Sequence, residues 1–155
     1  MLSRFYKKYR LFVIAFTLAA LAQGCNFNCS VGTPTKISET EAETLATKTL
    51  QNFNRSVMRG DFAEFHQTEV AQSVKNDFTI ETINQAFAQF VTRRVDIRPR
   101  DGAKMSWSPS PAIDGQFLNL NGSYPAQTGK TVNFKLQYVR ESNDWKLRYI
   151  DIKIP

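Results

Sequence analysis

Apolar periodicity along this chain changes once, at Pro99, and that change constrains the fold more than any other feature. Before Pro99 the apolar residues recur at helical spacing; after it they alternate. Val132, Phe134, Leu136 and Tyr138 alternate with Asn133, Lys135 and Gln137, as in a strand with one face buried and one in water. Residues 116–124 carry Leu118, Leu120 and Tyr124 on one side, and 126–130, with Gly129, form a turn. Ser142-Asn143-Asp144 reads as a tight hairpin turn. Trp145 and Leu147 continue the alternation, and then Ile150, Ile152 and Ile154 take the opposite parity. A one-residue change of face is what a β-bulge produces, so a bulge is expected near Arg148 or Tyr149. A strand end buried on both faces is the alternative. Residues 105–108 form a further short strand, which Pro109 and Pro111 confine to an edge or turn.

The first half reads as three helices. Ser38-Glu39-Thr40-Glu41 is a capping-box pattern. Ala42, Leu45, Ala46, Thr49, Leu50, Phe53 and Val57 then fall at helical spacing, and Gly60 supplies the stop. The helix is predicted over 39–58. Asp61 caps a short second helix to about residue 67, with Phe62 and Phe65 on one face. Residues 70–74 are a helical turn or an irregular segment. Thr79 opens a third helix with Ile80, Ile83, Phe87, Phe90 and Val91 as its buried stripe, fading over 92–94. Helices followed by antiparallel strands predict an α+β fold, with the N-terminal helices packed on one face of a curved sheet. Phe53, Phe62, Phe65, Phe87, Phe90 and Phe134 are assigned to the core.

The N-terminus reads separately. Arg4, Lys7, Lys8 and Arg10 precede an apolar run over 11–22. A secretory signal has such a cationic start and an apolar core of roughly 7–15 residues. A membrane-spanning helix needs about 20, and Gln23, Gly24 and Asn26 end this run. A cleaved leader over 1–24 is expected rather than a permanent span. Leu21-Ala22-Gln23-Gly24-Cys25 resembles the lipobox of bacterial lipoproteins, with Ala22 standing where leucine is commoner. The resemblance implies that Cys25 becomes the acylated first residue of the mature chain, carrying palmitate-type chains in the membrane. Asn26, in place of the aspartate that retains such proteins at the inner membrane, implies for a Gram-negative host the outer membrane, facing the periplasm. The alternative is an ordinary signal peptide, with Cys25 and Cys29 free or bridged. A Cys25–Cys29 bridge closes too small a loop to stabilise much. Residues 25–37 then form the lipidated cysteine and a flexible spacer, and 38–155 the folded domain.

Removing the leader changes the electrostatics. The formal charge of +6 counts 20 basic and 14 acidic residues. With the four leader cations gone, 16 basic residues face 14 acidic ones, which is not the footprint of a nucleic-acid binder. Arg93, Arg94, Arg98, Arg100 and Lys104 are the densest basic cluster, broken by Asp96 and Asp101. It reads as a solvated helix end or as a patch for acidic headgroups or an acidic partner.

The element order resembles the cystatin-like cone of nuclear-transport-factor-like and ketosteroid-isomerase-like (SnoaL-like) domains. The carriers are a long first helix, Gly60-Asp61-Phe62-Ala63-Glu64-Phe65 opening a short one, a third helix, and long strands ending Asp144-Trp145-Lys146-Leu147 and Ile150-Asp151-Ile152. The resemblance implies a pocket between the sheet and the long helix, for which Phe53, Val57, Phe78 and Phe117 are the candidate lining. Enzymes of that shape use an aspartate–histidine pair, or an aspartate base with a tyrosine donor on the first helix, and this first helix carries no tyrosine. His66 and Asp151 are the candidate bases, with Asp96 and Asp114 as further carboxylates near strands. One histidine and two spacer cysteines make a zinc site improbable, and no cofactor is expected. The reading is therefore a non-enzymatic module for a small apolar ligand or an envelope protein. The alternatives are an isomerase- or cyclase-type enzyme and a homodimerisation module. Asn119, Lys135, Gln137 and Lys146 give the outer sheet face a polar character that argues against a large apolar interface there.

Overall fold

The computed structural model describes residues 36–155, which fall in one compact unit. The expected leader, Cys25, Cys29 and most of the expected spacer lie outside the described residues. Ile37, assigned to the spacer, already packs against the core, so the folded part starts ahead of Ser38.

Helix α1 (Glu39–Arg59) starts at the capping box. Ser38 Oγ accepts from the Glu41 amide at 3.1 Å, and the Glu41 carboxylate accepts from the Ser38 amide at 3.1 Å. Those bonds satisfy amides that the first turn leaves orphaned. Gly60 closes the helix at φ 73°, in the left-handed region that glycine enters without a Cβ penalty. Ala42, Ala46, Leu50, Phe53 and Val57 form its buried stripe. Helix α2 (Ala63–Thr68) follows, with Asp61 Oδ1 accepting from the Ala63 amide at 2.8 Å. The ambiguous 70–74 segment is a bridge residue, Val70, followed by a 3-10 turn, Gln72–Val74.

The third helix is broken in two, α3 (Ile80–Ala86) and α4 (Ala88–Thr92), at Phe87. Thr79 caps α3 through the Thr82 amide. Phe87 sits at φ −111°, ψ 17°, while its ring lies 4.7 Å from Phe53 and 5.8 Å from Phe90. Packing around Phe53 overrides the local helical periodicity. Ile80, expected in the stripe, is an exposed residue of the first turn.

The sheet has five antiparallel strands and is open: β1 (Ser106–Trp107), β2 (Ala112–Asp114), β3 (Phe117–Pro125), β4 (Thr131–Glu141) and β5 (Asp144–Lys153). The order is β1-β3-β4-β5, with β2 also on β3. The β4–β5 register shifts so that Gln137 faces Tyr149 while Tyr138 faces Leu147. Arg148 is the extra residue, which is where the parity flip placed the bulge. Strand β2 and its hairpin to β3 were not foreseen, although Asp114-Gly115 is a hairpin signal, and Gly115 has φ 58°.

Helices cover one face of the sheet, and their apolar stripes join Leu118, Leu120, Tyr124, Val132, Phe134, Leu136, Tyr138, Leu147, Ile150 and Ile152 in one core. Gly122 lies among them, where a Cβ would come within 2.7 Å of the Ser106 carbonyl oxygen and 2.9 Å of the Phe134 ring. The turn end of β4–β5 is tied to the helical layer. The Leu147 amide donates to the Glu69 carbonyl at 2.7 Å and the Ala71 amide to the Leu147 carbonyl at 2.8 Å. Glu141 accepts from the amides of Gln72 and Ser73, which hold its carboxyl below the usual carboxylate range.

Candidate functional site

The space between α1 and the sheet is where the resemblance to a cystatin-like cone implied a ligand pocket. Phe53 occupies its centre at 0 % exposure. Phe87, Phe62, Phe65 and Phe90 surround it at centroid distances of 4.7, 5.4, 5.8 and 6.1 Å, three of them edge-on. Such pairs add about 0.5–1.5 kcal/mol each beyond area burial. Val57 is buried beside them, and Phe78 packs partly against the same core. Phe117 lies on the other face of the sheet, under the Arg148 guanidinium at 4.6 Å. The four candidate lining residues are therefore not gathered around one space.

His66 and Asp151 are not brought together either. Asp151 has the opposite parity to Ile150 and Ile152, on the outer face, 3.2 Å from Lys153. His66 is half-buried on α2, in the helical layer, and its Nε2 is enclosed without a hydrogen-bond partner. Asp114 ends β2 at an exposed turn. Asp96 is held by Arg98 through two guanidinium nitrogens at 2.6 and 3.0 Å. Those bonds keep its carboxyl below the usual range against the opposing effect of burial.

A buried polar relay lies at the helix–sheet junction. Tyr138 OH donates to Thr49 Oγ1 at 2.9 Å, and Thr49 donates to Glu69 Oε2 at 3.4 Å. Asn52 donates to Glu69 Oε1 at 2.7 Å, and Lys48 stands 3.8 Å away at the surface. Glu69 is only 4 % exposed. Burial pushes the Tyr138 phenol far above its ordinary pKa, and the Glu69 charge adds to this. The relay engages both Glu69 carboxylate oxygens with side chains of α1. Glu69 was not among the residues singled out from the sequence. The available signal was its position directly before the apolar pair Val70-Ala71.

Two of the surface grooves border the basic cluster. The first, about 790 Å³, runs between α1 and residues 96–105. Its walls are mostly polar, with Glu43, Arg55, Arg100 and Asp101 among them. Tyr124 closes it from below and donates to the Ile97 carbonyl at 2.6 Å. The second, about 850 Å³, runs between α4 and the end of β5, over Phe90, Val95, Ile152 and Ile154. The contiguous basic cluster is divided between them: Arg93 and Arg94 border the second groove, Arg98 and Arg100 the first. Lys104 is exposed outside both.

The geometry is that of an open α+β domain with a packed interior and grooves on its surface. Compared with protein-family models, curated proteins and solved structures, the chain has no match. Among the described residues, no helix is long and apolar enough to cross a membrane. Nor does any group of three or more His, Cys, Asp or Glu side chains there stand where it could hold a metal ion.

Proposed function

We propose that this chain is a lipid-anchored cell-envelope protein whose cystatin-like, nuclear-transport-factor-like domain works as a non-enzymatic binding module. The observation that carries the reading is the filling of the interior by Phe53 and its four neighbouring rings. Enzymes of that shape need the same space for substrate, so binding here falls to the surface grooves. The separation of His66 from Asp151 across the sheet supports the same reading. The anchor rests on the lipobox-like residues ending at Cys25, and acyl chains contribute about 0.8 kcal/mol per buried CH₂ to such anchoring.

Two measurements test this. Mass spectrometry of the membrane fraction should find a mature N-terminus at Cys25 with acyl mass; a start elsewhere removes the anchor. Native mass spectrometry of the purified protein should find a co-purifying ligand or partner, without turnover. The enclosed, unpartnered Nε2 of His66 is the one observation on the side of an isomerase-type enzyme. Loss of a measured turnover in His66→Gln would favour that reading.

A further inference from the structure

We propose that the groove between α4 and the end of β5 binds a single-chain anionic amphiphile, an acyl chain ending in a carboxylate or phosphate. This rests on the binding-module reading and names its site and ligand class. The floor is apolar: Ile152 is buried, and Phe90, Val95 and Ile154 are half-buried. The rim is cationic: Arg93, Arg94, Lys130 and Lys153 all border the space and are exposed. The two nearby side-chain carboxylates are already engaged, Asp96 by Arg98 and Asp151 by Lys153. Among the described residues, Arg93, Arg94 and Lys130 make no ion pair. An unattached phosphate would not need the apolar floor, and a neutral lipid would not need the cations. The volume of about 850 Å³ lies inside the roughly 300–1,000 Å³ of small-molecule sites.

Arg94 gives an independent reason to look here. Helix α4 ends in a Schellman arrangement, with the Val95 amide bonded to the Phe90 carbonyl and the Arg94 amide to that of Val91. The left-handed position of that motif is normally glycine, and Gly60 fills the corresponding place after α1 at φ 73°. After α4 it is Arg94, at φ 46°. A side chain kept against the backbone's preference points to a use for that side chain. The helix dipole is a weak alternative explanation, because α4 spans only five residues.

The test uses the full chain in membranes, irradiated with a diazirine-bearing palmitate, with the labelled peptides then mapped. Label on both walls, residues 88–95 and 150–155, competed by palmitate or by a monoalkyl phosphate but not by methyl palmitate, supports the proposal. The stronger competitor identifies the head group. In Arg94→Gly, labelling affinity should fall about tenfold, as for one lost charge-assisted contact, while the thermal midpoint holds or rises because the strain is relieved. Lys130→Glu, an exposed turn change, should weaken labelling as well. Equal competition by methyl palmitate, unaltered labelling in both variants, or label confined to the α1 groove overturns the proposal. A ligand found by native mass spectrometry under any of those outcomes leaves the binding-module reading standing without this site.

Discussion

Tyr138 reaches from the centre of the sheet to α1 and donates its phenolic hydrogen to Thr49 over 2.9 Å. Thr49 passes the chain of donors on to the buried carboxylate of Glu69. One side chain from β4, one from α1 and one from the end of α2 thus fix the spacing of helix and sheet. Losing the Glu69 carboxylate strands two donors, whereas losing the Tyr138 hydroxyl leaves one acceptor unmet, so the first change costs more.

Tyr138→Phe removes one donor and should cost about 1 kcal/mol. Glu69→Ala strips the acceptor from both Asn52 and Thr49 and should cost more, about 3 kcal/mol. Urea denaturation of both variants checks the order. Equal losses would mean that the carboxylate does not organise the junction.

Alkaline pH should unfold the domain through its two buried phenols. Burial raises the folded-state pKa of Tyr138 and Tyr124 above the ordinary value of 10.0; the charges of Glu69 and Asp96, respectively, add to this. A raised folded pKa gives stability that is complete below pH 10 and is lost as pH rises beyond it, since only the unfolded chain then releases the protons. Each phenol can withdraw up to about 1.4 kcal/mol per pH unit. In an absorbance titration these two should ionise only together with the loss of helical signal.

Gly122→Ala should loosen β1 from β3. The new methyl would meet the Ser106 carbonyl oxygen at 2.7 Å, a backbone atom that moves only if β1 moves. Overpacking of this kind costs about 1–3 kcal/mol. Amide exchange at Ser108, whose N–H donates to Asn121 at 3.0 Å, should accelerate, and Trp107 fluorescence should shift.

Phe53→Ala should cost about 3–5 kcal/mol and open an apolar void between helices and sheet. Such voids stay dry and take up benzene. Benzene should therefore raise the melting temperature of the variant and leave the wild type unchanged. A stabilising effect on both would reveal open space beside Phe53 that its rings do not fill.

Much of this architecture was legible because it is written in local chemistry. Ser38 and Glu41 cap α1 as their spacing requires, and the parity change from Leu147 to Ile150 narrowed the bulge to Arg148 or Tyr149, of which Arg148 is the extra residue. What was not legible depends on contacts distant in sequence. Phe87 breaks its helix for the sake of Phe53, 34 positions earlier. Glu69 is buried because Thr49 and Asn52, on another helix, turn their donors toward it. The basic cluster of 93–104 looked like one patch because adjacent residues share a line of text; the chain turns between Arg94 and Arg98, and they serve different grooves. Strand β2 is only three residues long, too short for an alternating pattern, and Asp114-Gly115 was its sole marker.

The bulge at Arg148 has a consequence for how copies of this chain meet at high concentration. Strand β5 is one edge of the open sheet, with backbone groups available to a neighbour's strand. The bulge interrupts that row, Val70 already occupies it at Leu147, and Lys146, Arg148, Asp151 and Lys153 place charge along what is left. Edges cut short and charged in this way resist templating another chain. Copies of the domain can therefore be concentrated without zipping into a continuous sheet.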